Sequence, residues 1–176
     1  MLKIRSLRTA ILAGAVTAVL VAGSTLASDG KRGSSESEHG NNGDHGNIGT
    51  LLDASLAGIP ATLTGQTFMG AIGGGVAWKI DSGRARLSSN GRLDVRVRGL
   101  VLAAGASVGT NPIPTGRALV SCGGAVVAMS DSVPFSTQGD ARVKATVTLP
   151  ASCLAPVIFF AGDTAAGPRW FAVTGF

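Results

Sequence analysis

Apolar and polar residues alternate over short stretches from about Ile48 onward, and Gly, Pro, Asn and Asp separate these stretches. This texture is typical of an all-β domain. In the clearest stretch, Leu93, Val95 and Val97 alternate with charged residues, so that one face of a strand is apolar and the other is charged. We therefore expect a half-exposed antiparallel strand there.

The residues before this strand predict a hairpin, and the hydrophobic pattern selects its loop length. A two-residue loop would place Leu87 opposite Asp94 and mix apolar with charged side chains on one face. A three-residue loop, Ser89-Asn90-Gly91 with a left-handed Gly91, keeps the two faces apart. The register that we predict pairs Leu87 with Leu93, Arg86 with Asp94 and Ala85 with Val95.

An apolar face made of Val76, Trp78 and Ile80 precedes the hairpin. A tight turn at Ser82-Gly83 would set Trp78 across from Leu87. The pattern therefore predicts a three-stranded meander.

Further strands are predicted wherever apolar residues recur between turn residues. They cover residues 51–56, 118–122, 125–129 after Gly123-Gly124, 143–149, 156–161 and 169–176. The run at 156–161 is so apolar that we expect it to be central. About eight strands in all favour an antiparallel two-sheet sandwich, immunoglobulin-like or related, with a closed β-barrel as the alternative.

Residues 1–27 have the three parts of a secretory signal peptide. Lys3, Arg5 and Arg8 form a basic head, an uncharged run follows at 10–23, and small residues precede a predicted cleavage site after Ala27. The alternative is an uncleaved anchor, although the run is shorter than the roughly 20 apolar residues that cross a bilayer. We expect a secreted or cell-envelope-associated protein with no transmembrane segment after cleavage.

Residues 28–47 contain no aliphatic side chain and no Phe, Trp or Tyr, which predicts a flexible linker ahead of a domain at 48–176. Both histidines of the chain, His39 and His45, lie in this linker. The glycines between them impose no ligand geometry, so we expect a solvated linker and no metal site. Weak binding of a divalent metal by this segment is the alternative.

Charge argues against nucleic acid as a partner. The chain has 15 Lys and Arg against 10 Asp and Glu, and loss of three basic residues with the signal peptide would leave 12 against 10, or +2. Such a chain has no dense basic patch. The oligomeric state stays open.

The two cysteines, Cys122 and Cys153, predict one disulfide in an exported chain. A catalytic thiol is the alternative, but the domain contains no histidine that could activate it.

The domain also lacks Glu and Tyr, so acid-base chemistry would rest on aspartate or lysine. Its six carboxylates are scattered: Asp53, Asp81, Asp94, Asp131, Asp140 and Asp163. Most of them stand beside turn residues, where Asp usually bonds its own backbone. We expect a protein that is not an enzyme and that has no cofactor, and keep an Asp-dependent hydrolase as the less favoured alternative.

The candidate binding residues are cations that share one predicted sheet face. They are Arg84, Arg86, Arg96 and Arg98, with Arg142 and Lys144 adjoining them. Such a face attracts an anionic polysaccharide or another polyanion. The simpler interpretation is solubility and protection of a strand edge.

Two stretches, 91–100 and 168–175, resemble small exported proteins of high-GC bacteria that carry one such β-domain and have no assigned activity. The resemblance implies export and an all-β fold, and it carries no catalytic or binding residue. Our hypothesis is a secreted, non-catalytic binding module that contacts a cell-wall or extracellular polyanion. The alternative is an extracellular carrier of a small ligand, which requires an apolar cavity.

Overall fold

The computed structural model describes residues 48–175. The predicted signal peptide, the linker with His39 and His45, and the last residue, Phe176, lie outside the described residues. The predictions made for them stay predictions.

Antiparallel strands dominate the described chain. They are β1 (Thr50–Gly58), β2 (Thr67–Phe68), β3 (Ala71–Ile72), β4 (Trp78–Lys79), β5 (Ser82–Ser88), β6 (Arg92–Arg98), β7 (Val101–Leu102), β8 (Thr115–Cys122), β9 (Ala125–Met129), β10 (Val133–Pro134), β11 (Ala141–Thr146), β12 (Val157–Thr164) and β13 (Gly167–Thr174), with a 3-10 helix at Ala61–Leu63. Five of these thirteen have only two residues. The eight longer ones match the predicted number of strands.

Nine strands form one curled, hydrogen-bonded sheet in the order β10-β8-β12-β13-β1-β5-β6-β11, and β9 pairs with β8 beside β10. Two small sheets, β2-β3 and β4-β7, complete the fold. The prediction of an antiparallel all-β domain is confirmed. Within residues 48–175, no helix is long and apolar enough to span a membrane.

The predicted β5-β6 hairpin is confirmed in register and in loop length. Leu87 lies opposite Leu93, and Gly91 adopts a φ of +80°. A Cβ at position 91 would overlap the carbonyl oxygen of Val147, so glycine is required for space as well as for the left-handed backbone. The hairpin therefore presents one apolar and one charged face, as the sequence pattern predicts.

The predicted meander is wrong. Ser82 and Gly83 belong to β5, whose other neighbour is β1, with Leu52 opposite Leu87. The chain does not reverse at this point. The Asp81 N–H donates to the Arg98 carbonyl oxygen, and the chain then continues directly into β5. Trp78 instead pairs with β7, and its N–H donates to the carbonyl oxygen of Ile59, just past β1.

The central position predicted for β12 is confirmed, because it lies between β8 and β13. β12 and β13 are buried on both faces along most of their length. On one face Trp170 packs against Phe159 and Phe68, and its Nε1 donates to the carbonyl oxygen of Ala71 in β3. The β2-β3 segment thus covers this face of the sheet.

On the other face of the same two strands, Phe171 stacks on Trp78 with ring centroids 4.0 Å apart. Phe135 continues this cluster between Trp78 and Phe160. Gly74 and Gly162 stand where any Cβ would meet the Phe171 ring. Two aromatic clusters therefore hold the covered half of the sheet, one on each face.

The predicted disulfide is confirmed, since Cys122 at the end of β8 is bonded to Cys153 in the loop before β12. The Gly123 N–H also donates to the carbonyl oxygen of Leu154 in this loop. Gly123 and Gly124, both with positive φ, form the predicted turn between β8 and β9. The disulfide thus fastens the loop to the β8-β9 hairpin.

Candidate functional site

The outer face of β5, β6 and β11 collects all six cations that the sequence singled out. Arg96 of β6 lies directly opposite Arg84 of β5 on one side and Arg142 of β11 on the other. We call these three residues the arginine row. They are all exposed, because the alternation of β6 directs Leu93, Val95 and Val97 into the core and Arg96 outward.

A second row of charges lies beside the arginine row, two residues away along each strand. It contains Asp53, Arg86, Asp94 and Lys144 in successive positions on β1, β5, β6 and β11, and we call it the mixed row. Opposite charges face one another throughout this row, which is favourable across neighbouring strands. The arginine row has the reverse property, because three like charges stand side by side.

The carboxylates of the mixed row reach diagonally to the arginine row. Asp53 accepts hydrogen bonds from Nε and Nη2 of Arg84, at 2.6 and 2.9 Å, and a third from Nε of Arg86 at 3.1 Å. Asp94 accepts two from Arg142, at 3.2 and 2.8 Å. Such paired contacts fix the plane of each arginine head.

These contacts also hold the carboxylates ionised. The hydrogen bond from Arg84 lowers the pKa of Asp53 below its ordinary value, and the charges of Arg84 and Arg86 act in the same direction. The hydrogen bond from Arg142 likewise lowers the pKa of Asp94, against the opposing effect of burial. Neither group is suited to donate a proton near neutral pH.

Arg96 and Arg98, like Arg92 on the same face of β6, have no carboxylate of residues 48–175 within ion-pair distance. Two shallow depressions flank Arg96. One, of about 320 Å³, is lined by Ser82, Gly83, Arg84, Arg96 and Arg98. The other, of about 420 Å³, is lined by Arg96, Val97, Arg98, Asp140, Ala141 and Arg142. Each depression can accommodate a small anionic group beside Arg96 and Arg98, which have no ion-pair partner among the described residues.

Sequence reasoning missed Asp53 as part of this face. It lies on β1, 31 positions before Arg84, and only the β1-β5 pairing brings the two together. The alternation of residues 51–56 predicts a strand but carries no signal for its neighbour. The structure places the six predicted cations on one sheet face, and the division of this face into two rows depends on the tertiary structure.

A separate ion pair lies outside this face. Arg117 donates to Asp163 at 2.6 Å, and the Ser132 hydroxyl donates to the other carboxylate oxygen at 2.7 Å. Burial acts to raise the pKa of Asp163, but the hydrogen bonds from Arg117, Ser132 and Thr115 together hold it below its ordinary value. This carboxylate therefore stabilises the junction of β8 and β12.

Asp140 directly precedes β11, and its carboxylate accepts the N–H of Gly99, in the loop after β6, at 3.0 Å. This contact differs from the local backbone bond that we expected for Asp beside turn residues, because Gly99 lies 41 positions away along the chain. In the part of the chain that the structure describes, no three His, Cys, Asp or Glu side chains are grouped closely enough to hold a metal ion.

No family model, no curated protein and no solved structure matches this chain. The function is therefore argued from the geometry of its own residues. The arginine row and the cations beside it form the candidate site.

Proposed function

We propose that the protein is an exported, non-catalytic binding module whose arginine row contacts an anionic polysaccharide of the cell envelope. The observation that carries this proposal is the position of Arg96, between Arg84 and Arg142 and without a carboxylate partner among the described residues. Like charges directly opposite one another are unfavourable in a sheet. A bound polyanion would offset this repulsion.

The guanidinium group suits this role because its planar fork matches the oxygens of carboxylates, sulfates and phosphates. Asp53 and Asp94 hold the outer two arginines of the row in place, so that less conformational entropy is lost when a ligand binds. With Arg92, which shares this face of β6, seven cations exceed its two carboxylates by five charges. The face therefore keeps a net attraction for polyanions after its internal ion pairs have formed.

Secretion is part of the proposal. It is supported by the signal-like pattern of residues 1–27 and by the disulfide, since disulfides persist mainly in oxidising compartments. For the architecture, we propose an open half-barrel in place of the two-sheet sandwich. The unbroken order of hydrogen-bonded neighbours in the main sheet supports this choice.

Packing favours the surface over the interior as the binding region. A small-ligand carrier would need an apolar cavity, whereas Trp78, Phe135 and Phe171 pack against one another inside the fold. The Asp-dependent hydrolase has less support, because Asp53, Asp94 and Asp163 each form ion pairs with arginine.

The test is binding of the purified protein to immobilised polygalacturonate and heparin, with neutral dextran as the blank. We expect retention at low salt and release at about 1 M salt, where the screening length is about 3 Å. The double variant Arg96→Ser/Arg98→Ser should bind about tenfold more weakly, which corresponds to about 1.4 kcal/mol.

The matched control is Arg169→Ser/Lys79→Ser, which also removes two cations: Arg169 lies on β13, three strands away from β6 in the sheet, and Lys79 lies on β4. It should bind like the unaltered protein. Equal losses in the double variant and the control would show general charge attraction and overturn the proposal, as would retention that is the same at both salt concentrations.

A further inference from the structure

The two ends of the main sheet face each other across a cleft. At its narrow end, residues 135–140 connect β10 to β11, and the Ser136 N–H donates to the carbonyl oxygen of Asp140. Beyond this turn the strands diverge, and a cleft of about 510 Å³ separates β9 from β11. We call this cleft the seam. Val127 and Met129 line one side, and Lys144 and Thr146 line the other.

The backbone of β11 has hydrogen-bonding groups directed into the seam. The Val147 N–H donates to the carbonyl oxygen of Gly91, so the odd-numbered positions of this strand bond to β6. Because bonded and non-bonded positions alternate in an antiparallel ladder, the N–H and C=O of Lys144 and Thr146 point away from β6. In the described part of the chain, β11 pairs with no other strand.

The same argument applies to β9 on the opposite side. The Ser130 N–H donates to the carbonyl oxygen of Ala118, which places the backbone groups of the neighbouring Met129 on the seam side. Pro134 occupies the seam-facing position of β10, where its missing N–H costs no ladder bond. Among the described strands that border the seam, β9 and β11 therefore present free edges.

We propose that the seam binds an extended peptide segment of a partner protein, which adds a strand between β9 and β11. The two edges are five and six residues long, so a segment of about five residues would pair along both. Backbone hydrogen bonds provide affinity in this mode of recognition, and alternate side chains provide specificity.

Charge identifies the chemistry of the partner. Arg142 and Lys144 lie on the outer face of β11, whereas Val143 and Ala145 face inward. A strand beside them would place its alternate residues next to these cations and the others next to the apolar side. The segment that fits therefore alternates acidic residues with aliphatic ones.

The cations also disfavour a second copy of this chain at β11. Two β11 edges paired about a two-fold axis would bring Arg142 and Lys144 of one copy against those of the other. β9 carries no charge, and Met129 is 55% exposed, so pairing through β9 alone is the competing arrangement that the experiment must distinguish.

The probe is a fluorescein-labelled peptide, Thr-Glu-Val-Glu-Val-Glu-Val-Thr, titrated with the full-length protein and followed by anisotropy. Two comparison peptides have the same composition: one groups the Glu and Val residues in blocks, and the other carries N-methyl groups on alternate residues. We expect saturable binding of the probe and at least about tenfold weaker binding of both comparison peptides, since each disrupts one element of strand addition. These peptides test the proposal without any change to the protein.

Variants then locate the site. Lys144→Pro and Met129→Pro each remove one seam-facing N–H and no ladder donor, so each should weaken probe binding about tenfold. Lys144→Glu should weaken it through charge alone, whereas the matched control Lys79→Glu, on β4, should not. Folding of each variant is checked by circular dichroism.

The Arg96→Ser/Arg98→Ser variant separates this proposal from the polysaccharide proposal, because it should leave probe binding unchanged. Binding that is lost in this variant, or equal binding of the alternating and block peptides, would assign the effect to the arginine row and overturn strand addition. Absence of probe binding would overturn it as well. A concentration-dependent dimer that Met129→Pro abolishes would replace it with pairing through β9.

Discussion

The β12-β13 pair and the β5-β6 hairpin both lie in the interior of one sheet, yet their sequences differ completely. β12 reads Val-Ile-Phe-Phe-Ala and is buried on both faces, whereas β6 alternates apolar with charged residues and is buried on one. The difference arises because both faces of the β12-β13 pair are covered by other parts of the chain, whereas one face of the β5-β6 hairpin is exposed to solvent. The β2-β3 segment covers Trp170 and Phe159, while solvent covers Arg96.

The comparison teaches that hydrophobic periodicity reports the number of covered faces and not the position of a strand within its sheet. A strand with two covered faces becomes a continuous apolar run. A strand with one covered face keeps a period of two and leaves the other face available for binding. The candidate site of this protein lies on the strands with one uncovered face, β5, β6 and β11.

The largest expected effect comes from removing the central side chain of the covered half. Trp170→Ala should destabilise the fold by about 3–5 kcal/mol, because it leaves a cavity between two layers and removes the hydrogen bond to Ala71. Urea unfolding measures this change. Leu154→Ala, at a side chain that is 71% exposed, is the control and should change stability by no more than about 0.5 kcal/mol. Similar losses of stability in both variants would contradict the interpretation that Trp170 is buried between the main sheet and the β2-β3 segment.

The disulfide fastens the covered half through β8 and the loop before β12. The double variant Cys122→Ala/Cys153→Ala should lose about 3–4 kcal/mol of stability, since the bond closes a loop with a sequence separation of 31. The comparison is between the oxidised protein and the variant in urea. A loss below about 1 kcal/mol would mean that the unfolded chain is already restricted in this region.

A smaller effect is expected for the Arg117–Asp163 pair. Asp163→Asn should cost about 1–3 kcal/mol, because Arg117 loses its charged partner in a partly buried position. The folded pKa of Asp163 lies below its ordinary value of 3.8, so its contribution is complete above that pH and is lost as the pH falls through the folded pKa.

Acid unfolding of the unaltered protein and of Asp163→Asn checks this assignment. The stability of the variant should fall less steeply below pH 3.8. A variant that loses stability with the same dependence on pH would show that Asp163 makes no such contribution.

The smallest expected effect belongs to the arginine row. Arg96→Ser should raise the unfolding midpoint slightly at low salt, because it removes repulsion from Arg84 and Arg142, and this gain should vanish at about 1 M salt. Arg86→Ser is the matched control on the same face and should lower the midpoint, since Asp53 loses a partner. A decrease in both variants would mean that Arg96 stabilises the sheet by itself.

Local patterns predicted the β5-β6 hairpin in detail, because the separation of apolar and charged faces admits only one loop length. They failed for Trp78, since no pattern near residue 78 indicates that its partner is β7 or that its ring stacks on Phe171. For the candidate site, alternation placed all six cations on one face. It carried no information about Asp53, whose contact with Arg84 depends on β1 lying beside β5.

The sequence by itself determined the longer strands, the register of the β5-β6 hairpin, the disulfide and the outward direction of the arginines. Each of these follows from short-range sterics, from side-chain periodicity or from a single possible cysteine pair. Only the tertiary structure decided the order of the strands, the arginine row and the seam. Which strands become neighbours depends on how the whole core is buried, and this involves residues far apart in the sequence. A local pattern of apolar and polar residues therefore does not predict it.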